Sequence, residues 1–246
     1  RNRSIPGFRG GRAVWVAILL HVVIAVVYTT PWDNYLVATG VWYYNPDLIS
    51  GVLLGWVPVE EYTFFVLETI LVGLWWWVLA VRITGSDSFR PRVALRLGSV
   101  VLLGVIWLWS FYLFVSGGDA WTYLGLILVW GLPPILLQLA FGADILWHHR
   151  KLVLPVILPV FVYLIAADAL AISAGTWTID PEQSTSVFIG PLPIEEAVFF
   201  LITVVLIGFG LTLALARVSQ ERLLGWVRRV FRSEPKVRLQ KKPAEE

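Results

Sequence analysis

The chain has 246 residues, of which 58% are hydrophobic and 15% charged, and its mean hydropathy is +0.75. Soluble domains are about 45–50% apolar and about 25% charged, so this composition excludes a soluble globular protein and predicts a polytopic membrane protein. The sequence contains no cysteine, which excludes a disulfide framework, a thiolate nucleophile and a thiolate metal site.

Six apolar runs are each long enough to cross a bilayer as a helix. The predicted spans cover about residues 13–30, 58–81, 93–115, 120–141, 152–172 and 193–216. Between them we expect long outer segments at 31–57 and 173–192, a kink or interruption of the fourth span at Pro133–Pro134, and a loop at 148–151. No cleavable signal is expected, because the first apolar run has no small-residue cleavage site after it.

The distribution of basic residues predicts the orientation of these spans. All 19 Lys and Arg lie before the first span, between the second and third spans or in the first turn of the third, between the fourth and fifth, or after the sixth. This is the positive-inside pattern, and it predicts a multi-pass protein of the cell membrane with both termini in the cytoplasm. The basic tail at 218–246 contains a predicted interfacial amphipathic helix at 223–231.

An internal duplication organises the chain. The stretch Pro-Val-Glu-Glu-Tyr-Thr-Phe-Phe at 58–65 is repeated 135 residues later as Pro-Ile-Glu-Glu-Ala-Val-Phe-Phe at 193–200. The same offset of 135 residues relates further residues. The additional matching pairs are Asp33 and Asp168, Gly40 and Gly175, Trp42 and Trp177, Pro46 and Pro181, and Gly55 and Gly190. A duplication of this kind indicates two structural repeats.

The repeats cover about 13–82 and about 148–217, and the helices at about 93–141 link them. Corresponding spans are four helices apart, an even number. The two repeats therefore have the same orientation in the membrane and are related by an axis roughly along the membrane normal.

Each repeat brings a pair of glutamates to the membrane edge, Glu60 with Glu61 and Glu195 with Glu196. Neighbouring helical residues point about 100° apart, so the two members of a pair cannot face one partner. We expect one member to face a cavity and the other to bind a neighbouring helix or an outer loop. One turn further along each helix are aromatic rings. These rings are Phe64, Phe65, Phe199 and Phe200.

Acids, aromatic rings and apolar surroundings together indicate protonation of an alkene. Loss of water and an adjacent like charge favour a neutral carboxyl group, whereas a helix N-terminus favours the anion. A neutral carboxyl group donates a proton, and aromatic faces stabilise a cation by about 2 kcal/mol when desolvated. The plainer alternatives are that the glutamates only favour the helix dipole, that the rings only pack, and that Asp33 and Asp168 are loop acids or caps. Glu68 has no acidic counterpart and is a proton relay or a satisfied core acid.

Several other functions lack the residues they need. The apolar spans contain no lysine for a retinal Schiff base, and no Asp-rich motif for a prenyl diphosphate or Gly-rich dinucleotide fingerprint is present. His148 and His149 lie in a basic loop, where solvation is expected rather than metal binding. The sequence therefore predicts neither a metal nor a cofactor, and no nucleic-acid partner.

The doubled pattern Asp-x6-Gly-x-Trp followed by Pro-x-Glu-Glu-x-x-Phe-Phe resembles the membrane-embedded lycopene cyclases of the two-subunit type, here as a fused single chain. The resemblance covers most of residues 13–216. It implies an all-α fold with about six or seven spans. It also implies redox-neutral cyclisation of the linear end group of a lipophilic carotenoid, such as lycopene, to a β-ionone-type ring. The resemblance leaves ε- and γ-type rings, and cyclisation of one end or of both ends, as alternatives.

By motif position, the resemblance assigns the acid and base roles to four glutamates and contacts with the substrate to eight further residues. The four glutamates are Glu60, Glu61, Glu195 and Glu196, and the eight substrate contacts are Asp33, Trp42, Phe64, Phe65, Asp168, Trp177, Phe199 and Phe200. Membrane lipid and other carotenoid enzymes are the expected partners. Two alternatives stay open: a transporter that uses the acids as proton sites, and a hydratase that quenches the same cation with water.

Overall fold

The computed structural model describes residues 5–83 and 88–231, and this part of the chain forms seven α-helices, with longer outer segments between α1 and α2 and between α5 and α6. The helices are α1 (Arg12–Ala38), α2 (Val59–Arg82), α3 (Val93–Ser116), α4 (Thr122–His148), α5 (Arg150–Ser173), α6 (Ile194–Leu215) and α7 (Arg217–Phe231). Six of them, α1 to α6, are long and apolar enough to cross a membrane. The predicted all-α fold with six spans is confirmed.

The first helix is longer than predicted. It continues through Pro31 to Ala38, so the expectation that an outer segment begins at Pro31 is wrong, and Asp33 lies on a helix rather than in a loop. Membrane helices tolerate proline because nearby polar side chains bond the backbone groups around the break. In the turn before Pro31, the Thr30 hydroxyl donates to the Val26 carbonyl oxygen over 2.6 Å.

The fourth helix also departs from prediction. It runs without interruption through Pro133 and Pro134, and its one break in helical geometry is at Gly142, with φ −152° and ψ 31°. The lack of a side chain at Gly142 permits close packing, since a Cβ at this position would clash with a methyl carbon of Leu213 on α6. The predicted loop at 148–151 is only a junction at His149, which separates α4 from α5.

Six short strands lie in the outer segments of the two repeats. They are β1 (Trp42–Tyr44), β2 (Leu53–Leu54), β3 (Val57–Pro58), β4 (Trp177–Ile179), β5 (Phe188–Ile189) and β6 (Leu192–Pro193). Strands β2 and β3 form a hairpin, and β5 and β6 form its counterpart. Strands β1 and β4 pair with each other across the repeats.

The pairing of β1 with β4 is symmetric. Tyr43 lies opposite Thr178, its own equivalent in the second repeat, and Trp42 and Tyr44 lie opposite Ile179 and Trp177. An approximate two-fold axis therefore passes through the Tyr43–Thr178 pair. This register agrees with two repeats of like orientation.

The two outer segments also share their turns. Each contains one short 3-10 turn, at Pro46–Leu48 and at Pro181–Gln183. Gly51 has φ 77°, and its equivalent, Ser186, has φ 56°. A positive φ is routine for glycine and unfavourable for serine, so the second repeat keeps this turn with a residue poorly suited to it.

The linking helices break the symmetry of the repeats. Helix α6 is central, with 56% of its most apolar stretch buried, and it packs against α1, α2, α4 and α5. Helix α3 packs on α4 and is only 6% buried over the corresponding stretch. Helix α4 therefore covers the second repeat, while α3 lies on the outside.

Helix α7 corresponds to the amphipathic helix predicted at 223–231, and it begins earlier, at Arg217. It is tied to α4 by an ion pair in which Arg222 lies 2.7 Å from the buried carboxylate of Asp144. Leu224 and Trp226 on this helix are more than half exposed. The remainder of the predicted basic tail, 232–246, lies outside the described residues.

Candidate active site

The two members of each glutamate pair have different surroundings, as expected from their angular separation. Glu60 is exposed, and its carboxylate accepts a 2.6 Å hydrogen bond from the backbone N–H of Ser50. Glu195 is fully buried and accepts hydrogen bonds from the backbone N–H and the hydroxyl of Thr185, over 2.7 and 2.6 Å. Ser50 and Thr185 are repeat equivalents. The first glutamate of each pair therefore binds the outer segment that precedes its helix.

The second glutamates, Glu61 and Glu196, line one small pocket of about 50 Å³ at the interface of the repeats. The remaining lining residues are all aromatic: Trp42, Tyr44, Phe64, Trp177, Phe199 and Phe200. The duplication therefore forms one site, to which both repeats contribute an acid. Five of the eight residues assigned to substrate contact lie on this pocket.

Tyr123 is a residue that the sequence reasoning missed. It is fully buried at the start of α4, and its hydroxyl donates a 2.5 Å hydrogen bond to Glu196. Glu61 accepts no hydrogen bond of comparable geometry within the described part of the chain, although the Tyr44 hydroxyl lies close to it. In the sequence, Tyr123 is recognisable only as a polar side chain at the start of an otherwise apolar span. It lies outside both repeats and therefore has no repeat equivalent.

Tyr44 was also missed. Burial, and then the charge of the nearby Glu61, raises the pKa of the Tyr44 hydroxyl well above its ordinary value. Tyr44 therefore stays a neutral hydroxyl and can donate a hydrogen bond into the pocket. Its repeat equivalent is Ile179, so a search for repeated residues could not find it.

Asp33 on α1 and Asp168 on α5 are buried, with 0% and 3% of their surfaces exposed. Both lie close enough to Glu196 to interact with its charge. Since both are inside helices, they are neither loop acids nor helix caps. The sequence has no Lys or Arg at 13–81 or 152–216, so this acid cluster has no Lys or Arg partner from the apolar spans or outer segments of either repeat. Burying several carboxylates together without cations is costly, and the cluster is therefore suited to holding and passing protons.

Aromatic rings form a continuous wall behind the acids. Phe199 stacks on Trp32, with ring centroids 5.6 Å apart and planes 7° apart, and it also stacks on Trp130 at 6.1 Å. Phe64 meets Phe200 edge to face at 5.8 Å. The rings come from α1, α2, α4 and α6. Faces and edges of this kind provide apolar surface and, where a ring face is open, attraction for a cation.

Glu68 lies deeper along α2 and away from the acid pocket. Its carboxylate accepts a 2.6 Å hydrogen bond from the hydroxyl of Thr203, which is its own repeat equivalent. It lines a second cavity of about 200 Å³, together with Phe65 and Phe199. The predicted substrate contact Phe65 therefore faces this second cavity, and Phe199 borders both. Among the described residues, no group of three or more His, Cys, Asp or Glu side chains is arranged to hold a metal ion.

Comparison with known proteins shows the family of the chain. The lycopene cyclase family model matches residues 9–79 and 119–214, which include both acid pairs and Tyr123. The chain belongs to the lycopene cyclase family. The unmatched stretch between the two ranges contains α3, the helix on the outside of the fold.

Curated relatives support the same family. A lycopene beta-cyclase of Halobacterium salinarum is 40% identical over 212 residues, which cover 82% of each chain. Bifunctional lycopene cyclase/phytoene synthases of Leptosphaeria maculans and Podospora anserina are 38% and 36% identical, over 77% of this chain and about a third of theirs. No solved structure matches the chain.

Proposed function

We propose that the chain is a lycopene β-cyclase that closes the linear end group of lycopene, or of a related acyclic carotenoid, in carotenoid biosynthesis. Family membership and 40% identity to a lycopene beta-cyclase support this function. The observation that carries the mechanism is that Glu61 and Glu196, one from each repeat, line a single pocket whose other walls are aromatic.

The reaction needs only proton transfers. A carboxylic acid gives its proton to the terminal alkene of the end group, and the resulting cation is attacked by the next double bond to close a six-membered ring. The ring cation then loses a proton to a carboxylate, which forms the ring double bond. One proton is added and one removed, so the reaction is a redox-neutral isomerisation, and general acid–base catalysis of this kind contributes about 10²–10⁴-fold to a rate.

The surroundings of the two acids support different roles. An ionised carboxylate only accepts hydrogen bonds, and Glu196 accepts one from Tyr123. We assign Glu196 as the base that removes the ring proton and Glu61 as the acid that starts the reaction. Asp33 and Asp168 then return the proton from base to acid within the cluster.

The other predicted residues take supporting roles in this proposal. Phe64, Phe199 and Phe200 stabilise the cation, and Trp42 and Trp177 close the pocket against water. Glu60 and Glu195 belong to the acid motif, but in this proposal they hold the outer segments by hydrogen bonds and do not react with the substrate.

The setting of the reaction is a membrane. We place the chain as a multi-pass protein of the cell membrane with both termini in the cytoplasm, which the positive-inside distribution of Lys and Arg supports. Substrate and product would then exchange with the surrounding lipid. Relatives whose names join lycopene cyclase to phytoene synthase support a location beside other carotenoid enzymes.

Pigment chromatography tests the function. The wild-type chain is expressed in a bacterium that accumulates lycopene, and the extracted carotenoids are identified. A cyclic carotene with β-type rings is expected. Unchanged lycopene with the protein present in the membrane would indicate another acyclic substrate or a missing partner. If other acyclic carotenoids also stayed unchanged, a transporter would be favoured, and a hydroxylated acyclic product would favour a hydratase.

A further inference from the structure

A second cavity opens beside the acid pocket, between α1 and α4. The two helices are bridged at one end of this cavity: the Tyr28 hydroxyl donates to the Trp130 carbonyl oxygen over 2.8 Å, and the Trp32 indole donates to that of Leu126 over 3.2 Å. Helices α2 and α6 form its floor. Its volume is about 200 Å³.

The walls of this cleft suit a hydrocarbon. Most of its lining is apolar, including Ile24, Ala25, Pro134 and Leu206. Its one carboxyl group, Glu68, is already bonded to Thr203. No Lys or Arg lines it. A ligand in this cleft would therefore gain contacts with apolar surface and lose few bonds to water.

The cleft is open on its lipid side and leads toward the acids on its inner side. Ile24 and Tyr28, which line it, are 51% and 42% exposed on the outward-facing surface of α1. At the inner side, Phe199 forms part of the wall of both the cleft and the acid pocket. Phe199 is thus the side chain that separates a lipid-accessible apolar space from Glu61 and Glu196.

We propose that the cleft between α1 and α4 holds the polyene chain of an acyclic carotenoid while its end group lies in the acid pocket. The substrate arrives sideways from the bilayer and passes Phe199. This inference rests on the proposed function and adds the path and the binding site of the substrate. Ligand pockets that hold a drug-sized molecule measure about 300–1,000 Å³, so this cleft takes one end of a long polyene and leaves the rest in lipid.

A consequence concerns the number of rings formed in one visit. Both repeats contribute to one acid pocket, and α4 covers only one side of the repeat pair. The chain therefore offers one place for an end group, despite its duplication. A carotenoid with two rings must leave after the first cyclisation and return with its other end.

The test fills the cleft. Ala25→Trp adds an indole to the wall of the cleft, whereas Val27→Trp adds the same group at a position of α1 that is 67% exposed and outside the cleft. In lycopene-accumulating cells, Ala25→Trp is expected to lower conversion at least roughly tenfold relative to Val27→Trp. Leu206→Trp, on α6, fills the same space from the other side and is expected to have the same effect.

A binding measurement separates access from chemistry and from folding. In a Glu196→Gln background, the amount of lycopene that co-purifies with the protein is compared with and without Ala25→Trp. Ala25→Trp is expected to lower the bound pigment several-fold, and Val27→Trp to leave it unchanged. If Ala25→Trp and Leu206→Trp convert and bind as much pigment as Val27→Trp, the proposal that the cleft binds the polyene would be overturned, even if the wild type cyclises lycopene. A wild type that never cyclises would instead overturn the proposed function.

The order of products tests the single-site consequence. A time course with the wild type is expected to show a free one-ring carotene before any two-ring carotene accumulates. Direct appearance of a two-ring product, with no one-ring intermediate at early times, would contradict it.

Discussion

The two repeats carry the same acid motif in different surroundings. In the first, Glu60 is exposed and holds its outer segment through one backbone bond, whereas in the second, Glu195 is fully buried and accepts two bonds from Thr185. Glu61 is partly buried, whereas Glu196 is 4% exposed and is bonded by Tyr123. Each repeat thus supplies one carboxyl group to the pocket, and the packing of α4, mainly against α6 of the second repeat, makes their surroundings unequal.

This inequality is useful for a reaction that both adds and removes a proton. Two identical acids at a symmetric site would have no fixed roles, whereas a donor aimed at one of them fixes where the negative charge lies. The comparison therefore predicts that the second glutamates carry the chemistry, that Tyr123 acts only through Glu196, and that the first glutamates differ mainly in stability.

The largest effect is expected at the second glutamates. Glu61→Gln and Glu196→Gln each remove a carboxyl group that gives or takes a proton, so the cyclisation rate should fall about 10²–10⁴-fold. Initial rates with lycopene in membranes measure this, with protein levels in the membrane as the control. Near-wild-type rates in either variant would remove that glutamate from the mechanism.

The next effect is expected at Tyr123. Tyr123→Phe removes the hydroxyl that donates to Glu196, and a hydrogen bond to a charged group contributes about 1.5–3 kcal/mol, which corresponds to roughly 10–150-fold in rate. The pH dependence of the rate should shift in this variant, since the bonded carboxylate is the proposed base. A purely structural Tyr123 would leave the pH profile in place.

A matched control for Tyr123 is available on α3. Tyr112→Phe makes the same change at a side chain that is 58% exposed, and it should have no effect on rate or pH profile. An equal loss in both variants would show that the effect of Tyr123→Phe is general rather than local to Glu196.

Substitutions of the two first glutamates are expected to lower the stability of the protein by different amounts. Glu195→Ala leaves two partly buried donors of Thr185 unpaired, at a cost of up to about 1–3 kcal/mol, which corresponds to a lowering of the unfolding midpoint by roughly 2–12 °C. Glu60→Ala frees only a donor at an exposed position, so its midpoint should change less. Thermal unfolding in detergent measures both, and a larger loss for Glu60→Ala would reverse the comparison.

The smallest effect concerns the outer turns. Ser186 adopts φ 56° where its repeat equivalent is Gly51. Ser186→Gly relieves this conformation but gives the unfolded chain more freedom, so a net stabilisation of up to about 1 kcal/mol is expected. Gly51→Ser should destabilise by a similar amount. Unfolding midpoints that move the opposite way would contradict this interpretation of the turn.

Periodicity and repetition predicted the architecture because they act over whole spans. The length of the apolar runs predicts the six membrane helices. The repeated motif and the even number of spans between its copies predict the parallel repeats, and the helical step of about 100° predicts the separation of each glutamate pair. Two errors in the helix bounds fell at prolines, and a third was the loop predicted at 148–151, which is only a junction at His149. Pro31 was predicted to begin an outer segment and Pro133 to kink or interrupt a helix. In a membrane helix, however, neighbouring side chains and helices satisfy the backbone groups that a proline leaves without a partner.

The site was predictable only where it is repeated. Trp42, Trp177 and the acids were found because they recur, whereas Tyr123 and Tyr44 have no repeat equivalent of the same type. Their roles depend on how α4 and β1 pack on the repeats, and no spacing in the sequence expresses that packing. The cleft between α1 and α4 has the same origin, since it forms between helices that are distant in sequence.

The most direct test of the account compares two double variants in lycopene-accumulating cells. One is Glu60→Gln with Glu195→Gln, and the other is Glu61→Gln with Glu196→Gln. With both proteins at equal levels in the membrane, the first is predicted to make cyclic carotene and the second to leave lycopene unchanged. Cyclic product from the second variant, or loss of cyclic product only in the first, would contradict the claim that the second glutamate of each repeat performs the chemistry.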